Sequence, residues 1–279
     1  MIYELHYGSF GHVSVLELSD PLAEHAHSMA NLSVWLEGDP VELSVASKRG
    51  GFDQDRATLI APFVSHSVSL PQGGRAKTLS FYLDRRWLGT ILAGADPTSR
   101  FTTVELKLDR TSQALAAGIG RDLAGGNGLQ IDARMEALLL GLLGAAKGGR
   151  DSADGRPPLD FRLSKAIRLM QADIAREHSL NEIARHAGMS RARFFSMFRD
   201  HMDLTPGTYW NTLRIEHAIS IMRQQGTNLT RLAGDLGFDA QGNFSRFFRQ
   251  QTGVAPKQYR RAMRQAISSK KRVTIETHA

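Results

Sequence analysis

The stretch GFDAQGNFSRFFRQQTGVAPKQYRR, residues 237–261, decides how the chain is read. Phe244, Phe247 and Phe248 recur at i, i+3 and i+4, which is one face of an α-helix. At about 100° per residue, Gly242, Arg246 and Arg249 fall on the far face, flanked by Asn243 and Ser245. Taken alone, the pattern fits any amphipathic helix with a packed aromatic side and a solvated basic side. An earlier stretch repeats it. Leu180, Ala184 and Gly188 recur 49 residues later as Leu229, Ala233 and Gly237. Phe194, Phe198, Arg199, Pro206 and Tyr209 recur 50 residues later as Phe244, Phe248, Arg249, Pro256 and Tyr259. The one-residue slip falls between Gly237 and Phe244, in a turn, so the chain carries a diverged internal repeat.

Each copy has the grammar of two helices joined by a tight turn. Ser179 with Glu182 forms a capping box that opens a first helix. Ala184 is small where the two helices cross, Gly188 suits a left-handed turn, and Ser190 can cap the second helix. Asn228, Ala233, Gly237 and Asp239 are expected in the same positions of the second copy. Thr205-Pro206 and Ala255-Pro256 start further helices, because proline is favoured in a first turn. A connector from Pro206 to about Gln224 joins the two units.

Residues about 160–262 thereby resemble the DNA-binding domain of the AraC/XylS family of bacterial transcription regulators. The resemblance rests on SLNEIARHAGMSRARFFSMFR, LRIEHAISIM and LTRLAGDLGFDAQGNFSRFFRQQTGVAPKQYR. In the last segment Gly237-Phe238, Phe244-Ser245-Arg246, Phe248, Gly253, Pro256 and Tyr259-Arg260 match the family signature. The first unit departs from it at Asp203, where the family often has Gly, and at Ser196, where Arg is common. The resemblance implies an all-α domain with two helix-turn-helix units whose second helices enter adjacent major grooves. Arg246 would then pair with a guanine edge, Gln241 or Asn243 with adenine, and Ser245 with a base or phosphate. Gly242 would let the helix approach closely. In the first unit Arg191, Ala192, Arg193, Phe195, Ser196 and Arg199 are the candidates. Phe195 either meets a thymine methyl or packs against the connector. Arg199 and Arg249 suit phosphates better than bases.

Charge agrees with that division. Residues 161–279 hold 20 Lys and Arg against 9 Asp and Glu, a balance of +11. Residues 1–160 hold 15 against 19, a balance of −4, so only the C-terminal part is built to meet a polyanion. The chain has no cysteine, which excludes disulfides and thiolate metal sites and fits a reducing compartment. MIYELHYGSF lacks the pattern of a signal peptide, and Leu138 to Ala146, the longest apolar run, is too short to span a bilayer. A cytoplasmic protein without membrane contact is expected.

The first hundred residues read as short strands: HVSVLEL, LSVWLEG, VELSVAS, ATLIAP, HSVSL and TLSFYL, divided by Gly, Pro and Asp. This spacing predicts a small sandwich or barrel. From about Thr111 the period becomes helical, through TSQALAAGIGRDLA and IDARMEALLLGLLGAAK. The expected organisation is a mainly β, cupin-like barrel with following helices (1–146), a Gly- and Pro-rich linker (147–159), the double helix-turn-helix domain (160–264) and a frayed tail (265–279). In the second helix Met135, Leu138, Leu139, Leu142 and Leu143 form a stripe. It packs on its own barrel or across a two-fold axis, and family resemblance favours a homodimer.

His25-Ala26-His27 and the distant His66 raise the question of a metal, since imidazoles at this spacing resemble a cupin metal site. The carboxylate expected about four residues after His27 is replaced by Asn31. The histidines are therefore taken as structural or ligand-contacting, and no metal or cofactor is assigned. GGNG at 125–128 lacks the flanks of a nucleotide-binding loop. A small barrel can hold one ligand in its mouth, with His25, His27, Trp35, Phe63 and His66 as lining residues. The family reading implies a non-enzymatic regulator, more an activator than a repressor, that answers a small effector and acts on promoter DNA and RNA polymerase. Its rivals are a metal-dependent cupin enzyme with a DNA-binding appendage and a ligand-independent DNA-bending protein.

Overall fold

A computed structural model describes residues 3–45, 48–91, 104–125, 131–146, 160–175, 178–202, 204–224 and 226–276. The expected linker, 147–159, lies outside the described residues. Ten strands come first: β1 (Tyr3–Gly8), β2 (Gly11–Leu18), β3 (Leu22–His25), β4 (Ala30–Gly38), β5 (Val41–Val45), β6 (Lys48–Phe52), β7 (Arg56–Ile60), β8 (His66–Ser69), β9 (Ala76–Leu83) and, after helix α1 (Arg85–Ile91), β10 (Val104–Lys107). They form two antiparallel sheets in the orders β1-β2-β9-β4-β7-β10 and β3-β8-β5-β6. Helices α2 (Arg110–Gly125) and α3 (Ile131–Ala146) follow.

Alternation along the strands gives the larger sheet two different faces. Val13, Val15, Leu32, Val34, Leu79 and Phe81 share a core with Ile119 of α2 and with the α3 stripe. Their neighbours lie on the other face, and those in the middle of the sheet are small and polar. Ser14 pairs with Ser80, Ser80 with Ser33, and Ser33 with Thr58, and all four are buried. The inter-sheet space thus has a row of hydroxyls on one wall.

The α3 stripe corrects the dimerisation assignment. Met135, Leu138, Leu139, Leu142 and Leu143 are all buried against the chain's own sheet. Burying five such side chains within one chain leaves that face unavailable to a partner, so an expected homodimer is not carried by it.

The C-terminal part comprises α4 (Phe161–Ala172), α5 (Leu180–His186), α6 (Arg191–Met202), α7 (Pro206–Met222), α8 (Leu229–Asp235), α9 (Gln241–Thr252) and α10 (Pro256–Glu276). The repeat survives in three dimensions. Phe194 and Phe198 stand 5.5 Å apart and Phe244 and Phe248 5.7 Å; Phe198 meets Tyr209 at 5.4 Å, Phe248 meets Tyr259 at 5.5 Å. The capping box at Ser179 and Glu182 is present in both directions, and Asn228 caps α8. Gly188 (φ 75°) and Gly237 (φ 72°) occupy the left-handed turn position of each unit. The cap predicted at Asp239 is not made: Ala240 is the N-cap of α9, with no side-chain hydrogen bond. The segment expected to fray after residue 264 instead continues α10 to Glu276.

The two parts do not have fully separate cores. The first unit has its own, built on Leu163, Phe194, Phe198 and Trp210. The second unit shares one with the barrel, in which Leu5, Leu16, Leu18 and Leu43 join Leu232, Phe244, Phe248 and Met263. Gly253, left-handed at φ 74°, brings the end of α9 onto the barrel, where an added Cβ would meet Leu16 and Leu22 at 3.1 and 3.2 Å.

Candidate functional site

The second helix of each unit is held by its aromatic face and leaves the opposite face in solvent. On α9, Phe244 and Phe248 are buried, whereas Gln241, Gly242, Asn243, Arg246 and Arg249 are exposed and Ser245 is half-buried. No atom stands within 4 Å of a Cβ added at Gly242, so this glycine keeps the helix surface low rather than filling a tight contact. Arg246 makes no hydrogen bond or ion pair with the described residues. Gln241 is tied by Thr230 Oγ1, which donates to its Oε1 at 2.8 Å. Arg249 donates to Asp20 in the β2–β3 turn, so one recognition-helix cation is engaged by the barrel.

On α6, Arg191, Ala192, Arg193, Ser196 and Arg199 are exposed. Phe195 is half-buried against the first unit's core, 5.9 Å from Phe194, with the Arg191 guanidinium 4.5 Å above its ring. Arg191 also donates to Asn181 Oδ1 at 2.6 Å, and Ser196 donates to Asp200 at 3.1 Å. The first unit therefore offers Ala192, Arg193 and Arg199 most directly.

The five residues expected to line a ligand site divide into three groups. His25, His27 and His66 come together, with one ligand nitrogen from each within 4.8 Å of the others. Their ring centroids stand 4.2 to 5.2 Å apart. His25 and His66 face each other as a register pair of β3 and β8. Trp35 is not with them. Its indole donates to the Asp39 carbonyl at 3.2 Å, four residues (about 13 Å of strand) from Asn31, whose strand partner is Tyr82 beside His27. Phe63 faces the connector instead: its ring lies 5.6 Å from that of Tyr209 on α7, while its N–H donates to the His27 carbonyl at 2.7 Å. It holds a positive φ of 59°, a strained backbone for a bulky residue.

Burial keeps this corner uncharged. It pushes His66 and His12 down to about 3 and Tyr82 up to about 12. Burial, then the neighbouring His25, His66 and His12, holds His27 well below its ordinary value; His25 is lowered chiefly by burial. His12 stacks on Tyr82 at 4.5 Å, and Tyr82 in turn meets His27 edge-on at 5.0 Å. Strand parity could have found this pair, since His12 and Tyr82 alternate with core residues and are register partners. Asp20, Thr212 and Glu216, which join the barrel to the helices, carried no sequence signal. Away from the histidines, a cleft of about 520 Å³ is lined by Glu42, Arg49, Phe52, Asp53 and Arg56 and includes none of the expected residues.

The fold is a two-sheet β domain carrying a double helix-turn-helix. The comparisons with known proteins agree. Residues 183–262 match the model of a helix-turn-helix domain. The chain is 28% identical over 138 residues to the transcriptional activator RhaS of Escherichia fergusonii, a match spanning 50% of this chain and 49% of that protein. It is 27% identical over 105 residues to the arabinose operon regulatory protein of Salmonella typhimurium, covering 37% of each. ArgR of Pseudomonas aeruginosa is 28% identical over 103 residues, 37% of this chain and 31% of that one. The chain thus spans about a third to a half of the curated relatives it matches. An apo form of ToxT from Vibrio cholerae shares the fold along almost the whole length, with TM-score 0.58, 16% identity, and coverage of 92% of this chain and 99% of that one. A ToxT structure with bound unsaturated fatty acid superposes at TM-score 0.56, with 14% identity, covering 89% and 94%. Residues 183–262 are thus similar to a helix-turn-helix domain, and the relatives they match are transcription regulators. Among the described residues no helix is long and apolar enough to cross a membrane.

Proposed function

We propose that the chain is a sequence-specific transcription regulator, an activator acting with RNA polymerase at promoter DNA, and that its β domain receives a small effector. The observation that carries this reading is the pair of repeat-equivalent helices, α6 and α9, each anchored by Phe residues and each turning a basic face to solvent. Arg246 is the base reader of the second unit, and Arg199 and Arg249 are phosphate contacts. RhaS and the arabinose regulator support a regulatory role, and the fatty-acid complex of ToxT supports a sensory one for this fold. In the present chain the effector is received at the histidine corner of the inter-sheet space.

Selection of duplexes from a random pool by the purified chain, at one fixed salt concentration, tests the reading. Enrichment of a two-part site whose halves lie about one helical turn, roughly 10–10.5 base pairs, apart is expected. A pool that stays random, with binding that merely fades as salt rises, would overturn it.

A further inference from the structure

We propose that His25, His27 and His66 bind a divalent first-row transition metal ion such as zinc, and that occupancy of this site is relayed through the backbone of residues 26–28 to the connector helix α7. The site itself follows from hydrogen bonding. Nδ1 of His25 lies 2.7 Å from the Ala23 carbonyl oxygen and Nδ1 of His66 lies 3.0 Å from that of Val64. A carbonyl can only accept, so both rings carry their proton on Nδ1 and present the Nε2 lone pair. This is the outer-shell bond that fixes the tautomer and orientation of metal-bound histidine. His27 supplies the third ring, and one nitrogen of each of the three rings lies within 4.8 Å of those of the others. On one tetrahedral ion, nitrogens bound at about 2.0–2.1 Å stand about 3.4 Å apart, so the rings must draw inward by roughly an ångström. Imidazole donors suit zinc, copper, iron and nickel, and three of them leave a further position for water.

The relay follows from what the other side of the same backbone touches. Ala26, between the two histidines, accepts from Thr212 Oγ1 at 3.1 Å. The Ser28 N–H donates to Glu216 Oε1 at 3.0 Å. The His27 carbonyl is held by Phe63, whose ring rests on Tyr209. Tyr209, Thr212 and Glu216 are spaced i, i+3, i+7 and so share one face of α7. That helix joins the two DNA-reading units. Drawing His25 and His27 toward His66 therefore pulls on the segment that grips the connector, which is how a change at the ion would alter the setting of one unit against the other. The relay rests on the proposed function; the metal site does not.

The test uses the full chain without any affinity tag, freed of metal by a chelator. Zinc chloride is titrated calorimetrically and cobalt(II) by visible absorption, and DNA affinity is measured with and without zinc on a selected duplex. One ion per chain is expected, with affinity falling at least about tenfold in His66→Gln. His27→Gln, at the half-buried ring, gives the same readout should the first variant fail to fold. Zinc is expected to change DNA affinity of the unaltered chain by about 5- to 150-fold, the usual range of allosteric coupling. Thr212→Val should keep the ion and lose the change. No stoichiometric binding, or binding untouched by either histidine variant, would overturn the site. Binding with no effect on DNA affinity would overturn the relay. Failure to bind any specific duplex would instead strike the proposed function and leave the metal titration to be judged alone.

Discussion

The two turn glycines offer an internal control on how the repeat is built. Gly188 and Gly237 are equivalent, with φ of 75° and 72°. In each unit the same hydrogen bonds close the turn: Gly188 N donates to Arg185 and Met189 N to Ala184, as Gly237 N donates to Gly234 and Phe238 N to Ala233. Alanine at either position suffers left-handed strain of about 1–2 kcal/mol, offset by roughly 0.4–1 kcal/mol from the stiffer unfolded chain. At Gly188 nothing else is added, because no atom lies within 4 Å of the new Cβ. At Gly237 the Cβ collides with the backbone carbonyl of Ala175. That loop cannot easily retreat: Trp210 Nε1 donates to the Asp173 carbonyl at 2.9 Å, and the Asp173 carboxylate accepts from His178 N at 2.9 Å. Overpacking of this kind adds about 1–3 kcal/mol. Gly188→Ala should therefore cost about 1 kcal/mol and Gly237→Ala about 2–4 kcal/mol. Urea unfolding followed by circular dichroism would read the difference as separated midpoints at equal slope. Equal losses, or a larger loss at Gly188, would refute the claim that the second turn is wedged against the α4–α5 loop.

Other outcomes follow from the same contacts. Arg246→Ala should leave the melting temperature unchanged and cost about 1–3 kcal/mol at one base position, relaxing specificity there; equal weakening on every duplex would make Arg246 a phosphate contact. Asp20→Asn releases Arg249 from an ion pair exposed on both sides, so stability should change by less than about 1 kcal/mol while DNA binding tightens a few-fold at low salt and not at high salt. Acid should destabilise the β domain. His12 is depressed from 6.5 to about 3, so the stability it contributes is whole above pH 6.5 and is lost as pH falls toward 3. At pH 5.5 the loss is about 1.4 kcal/mol for this residue, seen as a lower melting temperature than at pH 7.5. His12→Gln should lessen that dependence by about this amount while the share of His66, His25 and His27 remains; an unchanged slope would mean that His12 does not contribute.

What the sequence revealed differs sharply between the two halves, for physical reasons. In the C-terminal part, Gly188, Gly237, Pro206, Pro256 and the paired Phe residues each answer a strong local requirement, so position and role could be read together. The β half was read where alternation is clean, as in β2, β4 and β9. It was missed in β1 (YELHYG) and β10 (VELK), and in β3 (LAEH) and β6 (KRGGF), the last two being short, polar or glycine-bearing and owing their strand state to their neighbours. The convergence of the three histidines was expected from their likeness to a cupin site and not from local pattern, since His66 meets His25 only through the pairing of β3 with β8. That Trp35 and Phe63 stand apart from the three imidazoles was not legible, because aromatic character says nothing of which end of a strand or which side of a loop a ring occupies. The packing of α9 and α10 on the barrel was hidden for another reason. Leu16 and Leu22 look like ordinary core residues whether the surface they meet is their own sheet or a second domain.

Hydroxyl-radical footprinting on a selected duplex tests the central claim most directly, that both units read DNA together. Two protected windows are expected on one face of the DNA, about one turn apart, with Arg246→Ala weakening contact at a single base position in one of them. A single window, or even protection along the whole duplex, would contradict it.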